Sequence, residues 1–173
     1  VRDDEEDALG LPDGEFELPI VLQDRIFDGD NQFVYGGSGM MMDQMIGFLG
    51  NQLLINGRPD LSLPVKTRPY RLRLLNGSNS RIYKLAWEDG TPLTVLGTDG
   101  GLLETPLQKQ YLTLAPAQRL DLWVDFSGEE VGSVKQLVSL PFDAFGGQSA
   151  YPVLAAEITG QVTHDLVLPE RLT

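Results

Sequence analysis

Few residues in this chain can do chemistry. It has no cysteine and one histidine, His164. A disulfide, a Cys-containing zinc site, a catalytic thiol, an iron-sulfur cluster or a blue-copper centre therefore cannot be assembled from its residues alone. A Ser-His-Asp triad would have to recruit His164, and no G-x-S-x-G elbow precedes it. Gly36-Gly37-Ser38-Gly39 lacks the lysine and the strand-to-helix setting of a phosphate-binding loop and reads as a plain loop. One imidazole beside Asp165, near the C-terminal end, makes no metal site without donors from elsewhere and reads as an exposed histidine.

Softer candidates remain. Met40, Met41, Met42 and Met45 are every methionine in the chain, gathered within six positions. Thioethers bind Cu(I), so a weak cuprous site is one reading. Packing against a neighbouring domain is the favoured one, because methionine fills irregular apolar contacts. Asp99-Gly100-Gly101 with Glu104 offers two carboxylates for acid-base work or a hard metal, but an Asp before two glycines more often makes a tight turn and bonds its own backbone. Seven of the 13 basic residues fall between 58 and 84, where Asp60 is the only acid. Arg71, Arg73 and Arg81 among them are expected to pair with acids of the same domain, Asp99 and Asp121 being the candidates. Tyr111, Asp121, Trp123 and Asp125 could together line a sugar-binding face.

The elements that must position these groups read as β-strands. The 173 residues carry 13 basic and 25 acidic side chains, a net charge of −12. A general attraction to nucleic acid is thus disfavoured. No apolar run approaches the length of a membrane helix, and the acidic N-terminus is the reverse of a secretory leader. Residues 1 to 17 hold eight acids against Arg2, and 1–14 read as a solvated acidic linker. Short apolar runs follow at 16–24, 53–55, 70–75, 82–87, 94–96, 111–114, 120–126, 136–140 and 153–158, separated by turn formers such as Asn56-Gly57, Asp89-Gly90 and Ser127-Gly128. Such spacing indicates an antiparallel sandwich or barrel. Helix signals are weak, with one or two turns over 43–49 the best. Alternation in Tyr70-Arg71-Leu72-Arg73-Leu74 sends Tyr70, Leu72 and Leu74 to the core, and in 120–126 it sends Leu120, Leu122, Val124 and Phe126 there. Leu85 belongs with them, while 1–14 and 36–46 should be less tightly held than the strands.

Several stretches resemble a known family. Gly47-Phe48-Leu49-Gly50-Asn51-Gln52-Leu53-Leu54-Ile55-Asn56-Gly57 is similar to the G-x-x-G-D-x-(I/L)-x-(V/I)-N-G opening of the second cupredoxin domain in three-domain multicopper oxidases. The run from Tyr70 to Arg81, with Arg71, Arg73, Asn76, Asn79 and Arg81, resembles the Y-R-x-R-x-x-N-x-S-N-x-R signature of that domain. Asp99-Gly100-Gly101-Leu102-Leu103 and Leu114-Ala115-Pro116-Ala117-Gln118-Arg119-Leu120-Asp121 are similar to its D-G-G-L-L and L-A-P-x-(E/Q)-R-x-D segments, and 18–25 fit its opening strand. Together they cover about residues 15 to 126, in order. The nearest branch holds bacterial laccases, spore-coat laccase and bilirubin oxidase; Asn51 and Gln118 stand where acids are frequent.

The resemblance implies an all-β, Greek-key cupredoxin (plastocyanin-like) sandwich over 15–160, with 161–173 a linker toward a following domain. It also implies that copper lies in the flanking cupredoxin domains and none in the middle one, which agrees with the donor inventory. The parent would oxidise phenolic or similar reducing substrates and reduce dioxygen to water, in an extracytoplasmic or spore-coat setting. This chain would contribute no catalytic or cofactor-binding residue and would space the copper-bearing domains. The alternative is a free-standing β-sandwich binding module, for Cu(I) through the methionines or for glycans through exposed aromatics.

Overall fold

The computed structural model describes residues 3–35, 47–141 and 150–173. Eleven strands are seen among them: β1 Glu17–Arg25, β2 Gln52–Ile55, β3 Ser62–Lys66, β4 Pro69–Asn76, β5 Tyr83–Trp87, β6 Leu93–Thr98, β7 Gly101–Lys109, β8 Leu112–Leu114, β9 Arg119–Asp125, β10 Val134–Ser139 and β11 Tyr151–Gly160. They form a six-stranded sheet in the order β2-β1-β4-β9-β6-β7 and a five-stranded sheet in the order β3-β11-β10-β5-β8. Neighbours are antiparallel except β1 with β4 and β3 with β11, which run parallel. The expected 36–46 segment, residues 43–46 of the helical window at 43–49, and all four methionines lie outside the described residues; 47–49 are described and are not helical.

The core is what the alternation demands. Tyr70, Leu72 and Leu74 from β4 face Leu120, Leu122 and Val124 from β9, and all are buried, as are Leu85 and Phe126. Leu72 sits opposite Leu122 and Arg73 opposite Asp121, so apolar and charged residues fall on opposite faces of the sheet. Phe16, Tyr70, Phe126 and Trp87 make successive edge-to-face contacts at one end of the sandwich, with centroids 5.6 to 6.3 Å apart.

Two strands escape the sequence pattern because both are sheet edges. β3 contains Pro64 and buries only Val65, while β7 contains Pro106 and is exposed along most of its length. Neither carries the apolar alternation of an inner strand, and proline is tolerated where no ladder partner is needed. Pro19 in β1 sits in a half-open position. The first half of β1 pairs only with β4, and β2 joins from Leu22 onward. Asn56, at φ 50°, fills the gap: its Nδ2 donates to the Pro19 carbonyl at 2.9 Å and its Oδ1 accepts from Val21 N–H at 2.7 Å. Gly57 continues this turn at φ 79°, where a side chain would be strained.

The acidic segment 1–14, expected to be solvated, is in part packed on the sheet. Asp3 caps a short helix, α1 Asp4–Ala8, by accepting from Glu6 N–H at 2.9 Å. Leu11 beyond it is buried, and so is Leu172 at the other end. Leu11, Leu96, Trp123 and Leu172 form a second apolar cluster on the outer face of the six-stranded sheet, joined by Leu9, Leu102, Leu166 and Leu168. The charge run hid this, because α1 lays acids toward solvent while one acid and two leucines turn inward.

Gly50 is set where no side chain fits: a Cβ there would lie 2.3 Å from the Arg25 backbone nitrogen and 2.6 Å from the Asp24 carbonyl carbon. Gly50→Ala should therefore lower stability by about 1–3 kcal/mol, the cost of forced overpacking. Urea unfolding measures it, and an unchanged midpoint would contradict this packing.

Candidate functional site

Of the charged residues singled out in sequence, Arg71, Arg73 and Asp121 gather on the outer face of β4 and β9, beneath the incoming segment. Arg71 is among the most deeply buried side chains of the protein. Its Nε donates to both Asp121 carboxylate oxygens at 2.9 and 3.0 Å, its Nη2 to Oδ2 at 2.5 Å, and its Nη1 to Glu6 Oε1 at 2.6 Å. This is the forked geometry that guanidinium supplies and an ammonium does not. Burial by itself would weaken the Arg71 proton, but the hydrogen bonds to Asp121 and then Glu6 outweigh it and hold the charge more firmly than usual. Arg73 lies at the rim, with Nη1 3.0 Å from Glu17 and Nε 3.9 Å from Asp121.

Arg81 takes a partner that the sequence reading did not name. Its Nε donates to Asp24 Oδ2 at 2.8 Å and its Nη2 to the Gly50 carbonyl at 2.6 Å, while Gly50 N–H donates to the same Asp24 oxygen at 2.6 Å. Ser78 joins this buried node, its hydroxyl 3.2 Å from Asp24 N–H and 2.8 Å from the Tyr83 hydroxyl. Burial pushes the Tyr83 phenol well above its ordinary value. Asn76 uses its whole amide: Nδ2 donates to the Arg81 and Leu114 carbonyls at 2.7 and 2.9 Å, and Oδ1 accepts from Ser78 N–H at 2.9 Å. Asn79 Oδ1 reaches Arg25 Nη1 at 3.5 Å. Asp24 is the residue missed; its apolar strand setting, between Leu22 and the glycine loop, hid a carboxylate whose Oδ2 serves two donors, the Gly50 N–H and the Arg81 guanidinium.

Asp99 does not close on its own turn. Its Oδ1 accepts from Arg119 N–H at 2.8 Å, and the Arg119 guanidinium lies 3.1 Å away, which ties the β6–β7 turn to the start of β9. Gly101 there has φ 116°, and Gly100 has open space around it. Glu104 is exposed and paired with Arg171, so Asp99 and Glu104 do not converge.

His164 is partly buried rather than exposed. Leu166 N–H donates to its Nδ1 at 3.2 Å, which leaves the proton on Nε2 to donate to Ser127 Oγ at 2.7 Å; Ser127 in turn donates to Asp125 at 2.5 Å. Histidine, serine and aspartate thus meet, but the proton direction is the reverse of an activated nucleophile, with imidazole as donor to serine. Trp123, expected on a sugar-binding face, is covered by the second apolar cluster and faces Arg71 across the strand pair. Tyr111 is exposed under Lys84 Nζ, 4.4 Å from its ring centre.

Copper chemistry in a cupredoxin needs two imidazoles and a thiolate. The residues of this chain do not fit that need, since its sequence has a single imidazole and no thiol. Among the described residues no three His, Cys, Asp or Glu side chains group closely enough to hold a metal. No helix among them is long and apolar enough to cross a membrane.

Two mixed sheets packed in this way make the chain a cupredoxin sandwich. No protein-family model matches it. Individual relatives do. It is 32% identical to a laccase of Bacillus stratosphericus over 167 residues, 91% of this chain and 32% of that protein. It is 39% identical over 136 residues to the cell division protein FtsP of Escherichia coli, 76% of this chain and 27% of the relative. Among solved structures, the McoA multicopper oxidase of the hyperthermophile Aquifex aeolicus superposes with a TM-score of 0.89 at 34% identity, covering 99% of this chain and 38% of that one. The chain is a cupredoxin domain of the multicopper oxidase family. It spans about a third of the length of the relatives it matches.

Arg71→Met would leave Asp121 and Glu6 facing an apolar surface, and should cost about 3–5 kcal/mol in denaturant unfolding. Removing the aspartate as well, in Arg71→Met/Asp121→Leu, should recover much of that loss; equal stability of single and double variants would argue against the pairing. A second test concerns the cluster in which Lys135 bonds Asp89 and, at 2.8 Å, Glu129. Burial tends to raise the Asp89 carboxyl, but donation from Lys135 and Thr91 outweighs it and holds it below the usual range. Its contribution is in place above the ordinary value near about 3.9 and fades as pH falls through the lowered one. Asp89→Asn should flatten that acid limb of a Tm-against-pH profile.

Proposed function

We propose that this chain is the middle domain of a three-domain laccase-like multicopper oxidase, and that it spaces the copper-bearing domains without holding copper. The observation that carries the reading is the donor set: one imidazole, both of whose nitrogens already have partners, and no thiolate. A family whose chemistry requires copper would then place its ligands elsewhere in a polypeptide about three times as long. In that parent, one-electron oxidation of phenolic or similar substrates would be coupled to reduction of dioxygen to water, in an extracytoplasmic setting. The domain's share is geometric, because a cluster shared between two other domains works only when their separation is fixed. The ends of the described chain support this role, since both flanks are pinned to one sheet face rather than left free.

A second reading draws on the FtsP likeness, which reaches 39% identity. In it the parent serves cell division. One experiment separates the two. The coding sequence on both sides should carry paired H-x-H segments and a terminal H-C-H cluster, and the whole polypeptide should oxidise a phenol with consumption of dioxygen. Flanking domains without those ligands would overturn the oxidase reading and favour the second.

A further inference from the structure

The outer face of the six-stranded sheet holds two segments that are far apart in sequence. From the N-terminal side come Glu6, Leu9 and Leu11; from the C-terminal side come Leu166, Leu168 and Leu172. They meet in one cluster with Leu96 of β6, Trp123 of β9 and Leu102 of β7. They also share a cleft of about 220 Å³ in which Glu6, Leu11 and Arg71 face Leu166. We propose that this face is a common docking surface for both flanks, and that the docking of each strengthens the docking of the other.

The physical grounds are local. α1 has five residues and is too short to persist in water on its own, so its hydrogen bonds report whether the incoming flank is docked. Its attachment includes the Glu6 contact to Arg71, the burial of Leu11 and the packing of Leu9. The outgoing flank is attached by Leu172 N–H, which donates to the Glu104 carbonyl of β7 at 2.9 Å, and by its leucines. Lifting either flank uncovers one side of Trp123 and Leu96, so the other then shields less apolar surface and docks less favourably. Arg71 adds a polar route. When Glu6 leaves, the guanidinium beside Leu166 gains water on a side that was closed. Linkage makes the effect reciprocal: whatever the incoming flank does to the outgoing one, the outgoing flank does in return by the same factor.

The consequence for neighbouring domains rests on the middle-domain reading: a domain pulling on one flank would loosen the hold on the other. The coupling itself belongs to this chain alone, so it can fail while that reading stands, and the reverse. Native-state hydrogen exchange on the 173-residue chain tests it, with the Leu9 and Leu172 amides as reporters and the Leu72 amide as the measure of global opening. Leu11→Ala should speed exchange at Leu172 by at least about twofold, the low end of coupling between contacting residues. Leu172→Ala should do the same at Leu9. Glu6→Gln weakens the incoming flank without making a cavity, and decides the matter if Leu11→Ala does not fold. As a control, Val65→Ala in the inter-sheet core should speed exchange at Leu72 while leaving the local opening of both flanks unchanged. Exchange at Leu172 that ignores both Leu11→Ala and Glu6→Gln would overturn the proposal.

Discussion

A guanidinium buried between two carboxylates fixes the outer face of this sandwich. Arg71 stands in the middle of a sheet with apolar residues before and after it, and its side chain is only 2% exposed. Left alone it would be prohibitively costly. Asp121, on the neighbouring strand, meets it with both oxygens, and that match requires β4 and β9 to hold the register that also interleaves Leu72 and Leu122. Glu6 completes the set from the incoming segment, so an ion pair in the sheet specifies where a distant part of the chain must lie. The apolar cluster around Trp123 then closes beside it. The charged centre selects the position, and the leucines supply most of the contact area.

A second buried polar node works in the same manner at another corner. Asp24, Arg81, Gly50 and Asn76 join the opening strand to the loop that precedes β2 and to the turn after β4. Gly50, Asn76 and Arg81 belong to stretches through which the chain resembles its family, and each takes part in hydrogen bonds to backbone groups of a loop. They hold the loops in fixed relation by serving backbone carbonyls and N–H groups.

Much of the architecture was legible. The inward faces of β4 and β9 follow from strict alternation, and the ordered motifs between 15 and 126 identify the family. What stayed hidden has physical reasons. β3 and β7 are edges, so they carry prolines and polar residues in place of an apolar face. The seventeen acidic-rich residues at the start read as solvated because charge density dominates any window average, although Leu11 and Glu6 are the two that matter for docking. Arg81 could not be matched to Asp24 by proximity, since 57 positions separate them. His164 was placed by its linker position alone, and the turn that brings Ser127 to it leaves no mark in the sequence.

The sheet margins carry a last implication. Every outermost strand among the described residues is ill suited to recruit another: β2 has four residues and β8 three, while β3 and β7 each contain a proline. Intermolecular ladder growth is thereby discouraged, which protects against strand-mediated aggregation. The described edges thus offer little backbone for an adjoining globular unit to extend. At those margins, contact with another globular unit falls to side chains and to the connecting segments rather than to extension of a sheet.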